Sequence, residues 1–367
     1  MVLLYRELYE AYRSVAKGKR GATNQEAFLY NLEDKLFDLM RRLYLNEFMP
    51  SPLRQKKLYV PKPRIAQVPG LEDKIVQHLI CDGQTYFNLT NSLIPEATAN
   101  TRGRGTDYAR KMLARQCQSF WAKYHCRPFV IKADIHGFFA HILIERAKEL
   151  LNKYEQDKDI RMIMFLFLNL LERGLPLGLQ QSQLIANLYL SELDHITKER
   201  WHFHYYARHM DDFYILSPTK EPLEEYLAWL EEYLSSIGLD LNPKTGIFYG
   251  EFDYLGFHVI MTDTGKVVFR MDKSKRKKKN RHLKKMVKDL ESGILTPDQF
   301  AIKYFGWRQH ALKGDTRNMV RATDAKLDAR LQEIGYRLFI IPHKKGKVRW
   351  RVKVIQMKED NYVEKTR

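Results

Sequence analysis

Cysteine is scarce: Cys81, Cys117 and Cys126 are the three in a chain of 367 residues, and no Cys-x-x-Cys pair occurs. That excludes a disulfide framework, argues against a structural zinc site and fits a reducing, intracellular setting. Long apolar runs are missing too. The segment RMIMFLFLNLLERG at 161–174 stops short of the roughly 18–20 apolar residues of a membrane span and reads as a buried core helix. The N-terminal stretch MVLLYRELYEAYRSVAKGKR carries charges throughout and has no apolar centre, so it is not a signal peptide. These absences give a soluble chain with no membrane partner, expected in the cytoplasm. There is no internal repeat and no long Gly/Ser linker. Acidic residues are in deficit, 44 against 62 Lys and Arg, for a formal net charge of +18. A surplus of that size points to a polyanionic partner, phosphate backbones being the commonest, although a merely basic soluble protein has the same balance.

What is present is apolar material for a real core, 44% hydrophobic and 12% aromatic residues, in a chain long enough for two or three lobes. Helical spacing marks 24–47, and Pro61, Pro63 and Pro69 punctuate extended pieces before a helix over 71–88. The middle third alternates. PFVIKA at 128–133 reads as a buried strand ending at Asp134, followed by helices at 143–155, 159–172 and 180–200. Strands at 204–209 and 213–217, with almost nothing between them, predict a hairpin. A helix at 222–237 and strands at 246–250, 254–260 and 267–270 follow. From about 271 the chain becomes basic and helical (280–292, 297–313, 317–335), and 336–367 is strand-like in places.

Chemistry concentrates in YYARHMDDFYILS, 205–217. Successive side chains on a regular strand face opposite ways, but a tight turn lets Asp211 and Asp212 approach one site. Two adjacent carboxylates raise each other's pKa unless cations neutralise them, and Mg²⁺ takes hard oxygen ligands of this kind. Taken alone, an Asp-Asp pair is more often a polar turn. With Asp134 at the end of a strand it becomes the minimum set for two-metal phosphoryl transfer. Phe138 and Phe139 follow Asp134, and core packing accounts for at least one of them.

The order of these motifs resembles reverse transcriptases of the bacterial, group II intron-like lineage, over roughly residues 55–335. The resemblance implies an α+β right-hand polymerase fold with fingers, a palm whose antiparallel sheet carries three Asp, and a helical thumb. The expected boundaries are 1–125 for the N-terminal segment and fingers, 126–260 for the palm, 261–335 for a basic thumb and 336–367 for a basic C-terminal extension. It implies catalysis by Asp134, Asp211, Asp212 and Lys244, the last (in LNPKT, 241–245) as general acid for pyrophosphate. Two Mg²⁺ ions, with Mn²⁺ as a substitute, would be held by Asp134, Ile135, Asp211 and Asp212. Lys62 and Arg64 (in KPR) would hold the triphosphate, Phe139 would exclude a ribose 2′-hydroxyl, and Gln183 would touch the nascent pair. Template and primer would meet Gly178 and Ser182 in LPLGLQQSQ, Leu255 and Gly256 in the FDYLGF primer grip, and Lys275, Arg276, Lys277 and Lys278 in the basic run. RGRGT (102–106) resembles a basic glycine loop. Singly, each of these cations also reads as a solvated surface charge, and each glycine as a turn residue.

The stretch Leu177-Gly178-Leu179-Gln180-Gln181-Ser182-Gln183 ends in Ser-Gln where most relatives have Ser-Pro. That pattern is similar to reverse transcriptases of diversity-generating retroelements. It implies error-prone cDNA, with misincorporation opposite adenine, destined to replace a variable region of a target gene. It also implies template RNA, a primer with its cDNA strand, dNTPs and a small basic accessory variability protein, ring-shaped as an oligomer, as partners. Gln183 would place a mobile amide where proline stiffens the helix start, though a helix N-terminal residue without effect on fidelity fits the same position. Departures are His209, where relatives have Tyr, and His136 and Ala140. His209 would bring a titratable group near the metals. No His-Asn-His nuclease motif or RNase H carboxylate set is evident. A retron-type or antiphage-defence reverse transcriptase is the nearest alternative, and a non-catalytic RNA-binding scaffold the alternative of another class. The 273–281 run, seven basic residues in nine, reads either as a solvated arm or as a track for a phosphate backbone. The tail around Trp350 suits stacking on unpaired RNA or a covering strand.

Overall fold

The computed structural model describes residues 5–17, 28–58, 64–271, 273–342 and 350–357. They fall into two units, one formed by 1–116 and 128–247 and the other by 117–127 and 248–367.

In the first unit, helices α1 (Tyr5–Ala16) and α2 (Leu32–Tyr44) bury the apolar stripes Leu8, Ala11, Tyr12, Val15 and Leu36, Leu39, Leu43, the 3–4 residue spacing of one helix face. Strands β1 (Arg54–Leu58) and β2 (Arg64–Val68) pair antiparallel. The helix expected over 71–88 is two helices, α3 (Leu71–Asp82) and α4 (Gln84–Thr90). Gly83, at φ −87° and ψ −137°, ends one and starts the other, because glycine reaches backbone angles that a continuing helix does not use. Helix α5 (Thr106–Tyr124), not anticipated from the sequence pattern, spans the boundary at Gln116.

The central sheet runs β4–β5–β3–β6, from β3 (Phe129–Asp134), β4 (Tyr206–His209), β5 (Asp212–Ser217) and β6 (Gly246–Tyr249). A short helix α6 (Phe138–His141) follows β3, then α7 (Ile144–Tyr154) and α8 (Lys158–Leu168). The Asp157 carboxylate accepts from the N–H groups of Asp159 and Ile160 and starts α8. The helix expected over 180–200 breaks into α9 (Gln180–Tyr189), α10 (Ser191–His195) and a π-helical turn (Ile196–Arg200). Thr197 Oγ1 donates to the Leu193 carbonyl at 2.7 Å, a bond that competes with the helix ladder and bends it. Helix α11 (Glu221–Ser236) buries Leu223, Tyr226, Leu230 and Leu234, each contributing about 1.5–3 kcal/mol on full burial. Tyr226 stands edge-on to Trp201 and Phe203. One continuous core unites these helices with Ile131, Ala133, Phe213 and Ile215 of the sheet.

In the second unit, β7 (Glu251–Tyr254), β8 (Phe257–Met261) and β9 (Val267–Arg270) form an antiparallel sheet. One strand was expected over 254–260; a two-residue turn at Leu255 and Gly256, with φ of 46° and 89°, makes it a hairpin. Helices α12 (Lys273–Glu291), α13 (Pro297–Ala311) and α14 (Arg317–Gln332) surround Leu283, Met286, Phe300, Tyr304, Leu327 and Leu331. A capping box, Thr296 with Gln299, starts α13. Strands β10 (Tyr336–Pro342) and β11 (Trp350–Gln356) pair as an antiparallel hairpin, and Val354 of β11 joins this core. Among the described residues no helix is long and apolar enough to cross a membrane.

Candidate active site on the central sheet

Asp134 is the last residue of β3 and stands directly opposite Asp212, the first of β5. His209 of β4 faces Asp212 from the other side. Directly paired residues share a face, and so do residues two apart along a strand. Lys132, Asp134, Asp212 and His209 therefore lie on one face, while Ile131, Ala133, Phe213 and Arg208 point to the other. The turn Met210-Asp211 joins β4 to β5, with Met210 in the left-handed region at φ 63°. The Ile135 N–H donates to the Asp211 carbonyl at 3.3 Å, tying the turn to β3. The sequence thus brings Asp134, Asp211 and Asp212 together: one strand end, one hairpin and one register.

Their electrostatics are adverse without a cation. Burial is the main cause raising the Asp211 carboxyl above the ordinary range, with the Asp134 charge adding to it. Burial pushes Asp212 up to about 6, against the pull of Lys132. Lys132 Nζ lies 2.5 Å from Asp212 Oδ1, an ion pair that gives this buried oxygen its counter-charge. Three neighbouring carboxylates facing the Lys132 charge present the hard oxygen donors that a divalent cation takes. The three side chains do not already close into a cage: among the described residues no group of three His, Cys, Asp or Glu is gathered to hold a metal.

Behind the hairpin, Arg208 and Asp194 are fully buried and paired. His209 Nδ1 sits 3.0 Å from Thr98 Oγ1, and burial followed by the Arg208 charge lowers its pKa, which keeps the ring neutral at neutral pH. Sequence reading missed Lys132, Asp194 and Arg208. The available signal was a charged residue inside an otherwise apolar strand, Lys132 in PFVIKA and Arg208 in YYARH.

The Asn242 N–H donates to the Asp134 carbonyl at 2.8 Å, so the loop bearing the exposed Lys244 is anchored to the end of β3. Phe138 is core; Phe139 is half-buried and meets Phe138 edge-on, ring centroids 5.6 Å apart. The Phe139 carbonyl accepts from the Leu175 N–H at 2.6 Å. Gly178 (φ 139°) passes so close to β2 that an added Cβ would lie 2.3 Å from the Gln67 carbonyl oxygen. Ser182 is buried and Gln183 exposed on α9. Gln183 is the fourth residue of that helix, so its N–H reaches the N-cap carbonyl rather than belonging to the orphaned first turn where proline costs nothing. Lys62 lies outside the described residues, as do the side chains of Arg64 and Lys275.

In the second unit, Leu255 and Gly256 form the β7–β8 turn, and Arg276, Lys277 and Lys278 are exposed on α12. The basic run is helical rather than an irregular arm. A groove of about 500 Å³ is lined by Arg276, Lys279, Lys284, Lys326, Arg330 and Trp307, with no acidic side chain in its lining among the described residues. Burial pushes Lys279 down to about 8.

The family described as reverse transcriptase (RNA-dependent DNA polymerase) matches residues 56–259, more than half of the chain. The chain belongs to this family. The match runs from β1 into β8 and includes all three aspartates, and the mixed α+β architecture with antiparallel sheets is that of a reverse transcriptase polymerase fold. No curated protein matches the chain. Among solved structures, this reverse transcriptase is similar to apo telomerase of Candida tropicalis truncated from its C-terminal domain. That pair shares 13% identity and a TM-score of 0.46, over 60% of this chain and 55% of the other. Telomerase of Candida albicans in complex with a TWJ fragment of telomeric RNA is 10% identical, with a TM-score of 0.47 over 78% and 58%. The chain thus spans little more than half the length of these structures.

Proposed function

We propose that the chain is an RNA-directed DNA polymerase of a diversity-generating retroelement, copying a template RNA into error-prone cDNA for mutagenic retrohoming into a variable target gene. The observation that carries the polymerase reading is the register pairing of Asp134 with Asp212, with Asp211 next to it in the β4–β5 turn. Residues 1–125 serve as N-terminal segment and fingers, 126–260 as palm, 261–335 as thumb and 336–367 as a basic extension.

Asp134, Asp211 and Asp212, with Ile135 adjoining them, would hold two Mg²⁺ ions or Mn²⁺ in their place. Bound there, such ions would lower the pKa of the primer 3′-hydroxyl and neutralise charge on the triphosphate. The primer 3′-oxygen forms a new bond to the dNTP α-phosphorus while the bond to the β-phosphate oxygen breaks, and pyrophosphate leaves. Lys244, exposed on its anchored loop, donates a proton to that leaving group. Lys62 and Arg64 hold the triphosphate, and Phe139 crowds a 2′-hydroxyl. His209, held neutral, adds no charge. Gly178, Ser182, Leu255, Gly256 and the cations Lys275, Arg276, Lys277 and Lys278 line the path of template and primer. The acid-free groove under α12 supports a polyanionic partner for the second unit.

The retroelement assignment rests on the Leu177–Gln183 pattern and on Gln183, exposed on α9, whose amide would stand near the template base where most relatives carry a proline. Misreading follows if that amide weakens discrimination between base pairs by a few kcal/mol in the transition state. A small basic ring-forming accessory protein and a cytoplasmic location complete the reading. The test is primer extension on a defined RNA template with Mg²⁺ and dNTPs, with cDNA sequencing and an Asp211→Ala/Asp212→Ala control. Synthesis lost in the control, with errors concentrated opposite adenine, is expected. Accurate cDNA would move the assignment to a retron-type or antiphage-defence enzyme. Persistent inactivity with native RNA and the accessory partner added would leave an RNA-binding scaffold.

A further inference from the structure

Arg208 sits on the face of β4 opposite the carboxylates and is 0% exposed, as is Asp194. A guanidinium has five N–H donors in a fixed fork. Here all five find acceptors. Nε donates to Asp194 Oδ1 at 2.7 Å and Nη2 to Asp194 Oδ2 at 2.5 Å. Nη2 also donates to the Asn187 carbonyl at 3.1 Å, and Nη1 to Asn187 Oδ1 at 3.0 Å. The fifth bond runs from Nη1 to the carbonyl of Met210 at 2.9 Å. Tyr206 Oη donates to Asp194 Oδ1, and Asn187 Nδ2 to the Ala99 carbonyl, so the acceptors are themselves held.

Met210 is the residue before Asp211, and its φ of 63° is a left-handed conformation that costs a non-glycine residue. A strained residue stays in place only when its surroundings over-determine it. The bond from Arg208 to its carbonyl does that, and it holds the peptide linking Met210 to Asp211. We propose that Arg208, clamped by Asp194, is a positioning residue that fixes the Met210-Asp211 turn so that Asp211 and Asp212 meet the divalent metal in their working geometry. This rests on the polymerase reading for the identity of the site, but its own readout is metal binding. The bland alternative, that the pair only stabilises the core, predicts that removing both charges together leaves the site intact. Replacing a buried ion pair by apolar residues of similar volume is often neutral for folding, whereas removing one partner strands a charge.

The experiment uses the full chain and the variants Arg208→Met/Asp194→Leu and Arg208→Lys. Folding is followed by thermal melting, Mn²⁺ affinity by electron paramagnetic resonance titration, and primer extension gives kcat separately from the primer–template Kd. The expected result for a folded double variant is at least a tenfold loss of Mn²⁺ affinity and of kcat, with primer–template Kd unchanged within about threefold, the loss being about 1.4 kcal/mol for each tenfold. A folded double variant that binds Mn²⁺ as tightly as the parent overturns the proposal. If the double variant does not fold, Arg208→Lys decides: it keeps the buried charge and the pairing with Asp194 but has no fork to reach Met210, so parental Mn²⁺ affinity in it overturns the proposal equally. A parent that binds Mn²⁺ but makes no DNA overturns the polymerase reading and leaves this comparison valid. A parent that binds no Mn²⁺ overturns both.

Discussion

At the scale of single residues, burial is what raises the Asp211 and Asp212 carboxyls, and Lys132 beside Asp212 offsets part of it. Asp212 shows the sign. Its folded pKa, about 6, lies above the ordinary carboxylate value, so between about pH 4 and 6 the metal-free folded chain binds more protons than the unfolded one. Its contribution to stability is therefore greatest at acid pH and is lost as pH rises through 6, by roughly 2–3 kcal/mol at most. Asp211 moves with the same sign and carboxylates such as Asp82 with the opposite one, so the measurement is a difference. The melting temperature of metal-free Asp212→Asn, relative to the parent, should climb from pH 4 to 6 and level off above. A constant difference would show that Asp212 titrates normally. The same variant should lose DNA synthesis. Lys132, the resident counter-charge, was hidden in an apolar strand and became legible only once register placed it on the same face as Asp134 and Asp212.

At the scale of elements, strand ends and turns carry the function, and close backbone approaches hold them. Gly178→Ala should lower stability by roughly 1–3 kcal/mol, because the new methyl would sit 2.3 Å from the Gln67 carbonyl at a φ of 139° that L residues avoid. Chemical denaturation reads this directly, and an unchanged midpoint would mean that the close approach to β2 is dispensable. In the β7–β8 hairpin, Leu255 occupies a position with φ 46°. Leu255→Asn should raise stability by about 0.5–1 kcal/mol, since Asn tolerates the left-handed region at less cost. A lower melting point would instead show that the leucine side chain has a packing role. Most helices and strands were legible from periodicity because each has one apolar face. The failures were local. Gly83 split a pattern that stayed helical on both sides, and the Thr197 back-bond bent the helix expected to run through 200. Leu255 is a poor turn former on propensity alone, so Gly256 was the one turn signal inside an apolar strand pattern.

At the scale of the whole molecule, the surplus of positive charge is the dominant property. Cations on α12 and around the acid-free groove should each release counterions on binding a phosphate backbone. Arg276→Ala/Lys277→Ala/Lys278→Ala should weaken RNA binding at 0.1 M salt. It should also reduce the slope of log K against log salt by about 2–3, near 0.7–0.9 for each phosphate no longer neutralised. A parental slope would place those three side chains off the nucleic-acid path. The composition predicted this kind of partner, and the helical form of the run adds that its cations are displayed on a fixed scaffold.

The sequence by itself determined the chemistry: which carboxylates lie at strand ends, the alternation that makes β3 and β5 strands, and the charge that calls for a polyanion. These are local or summed properties, readable without knowing what touches what. Tertiary structure alone decided the register that sets Asp134 opposite Asp212, the approach of Lys132 to Asp212 and the five-bonded Arg208 behind the turn. Each joins residues distant in the chain or on different strands. A one-residue slip in pairing would have sent the same side chains to opposite faces, and only the packing of the whole core excludes that slip.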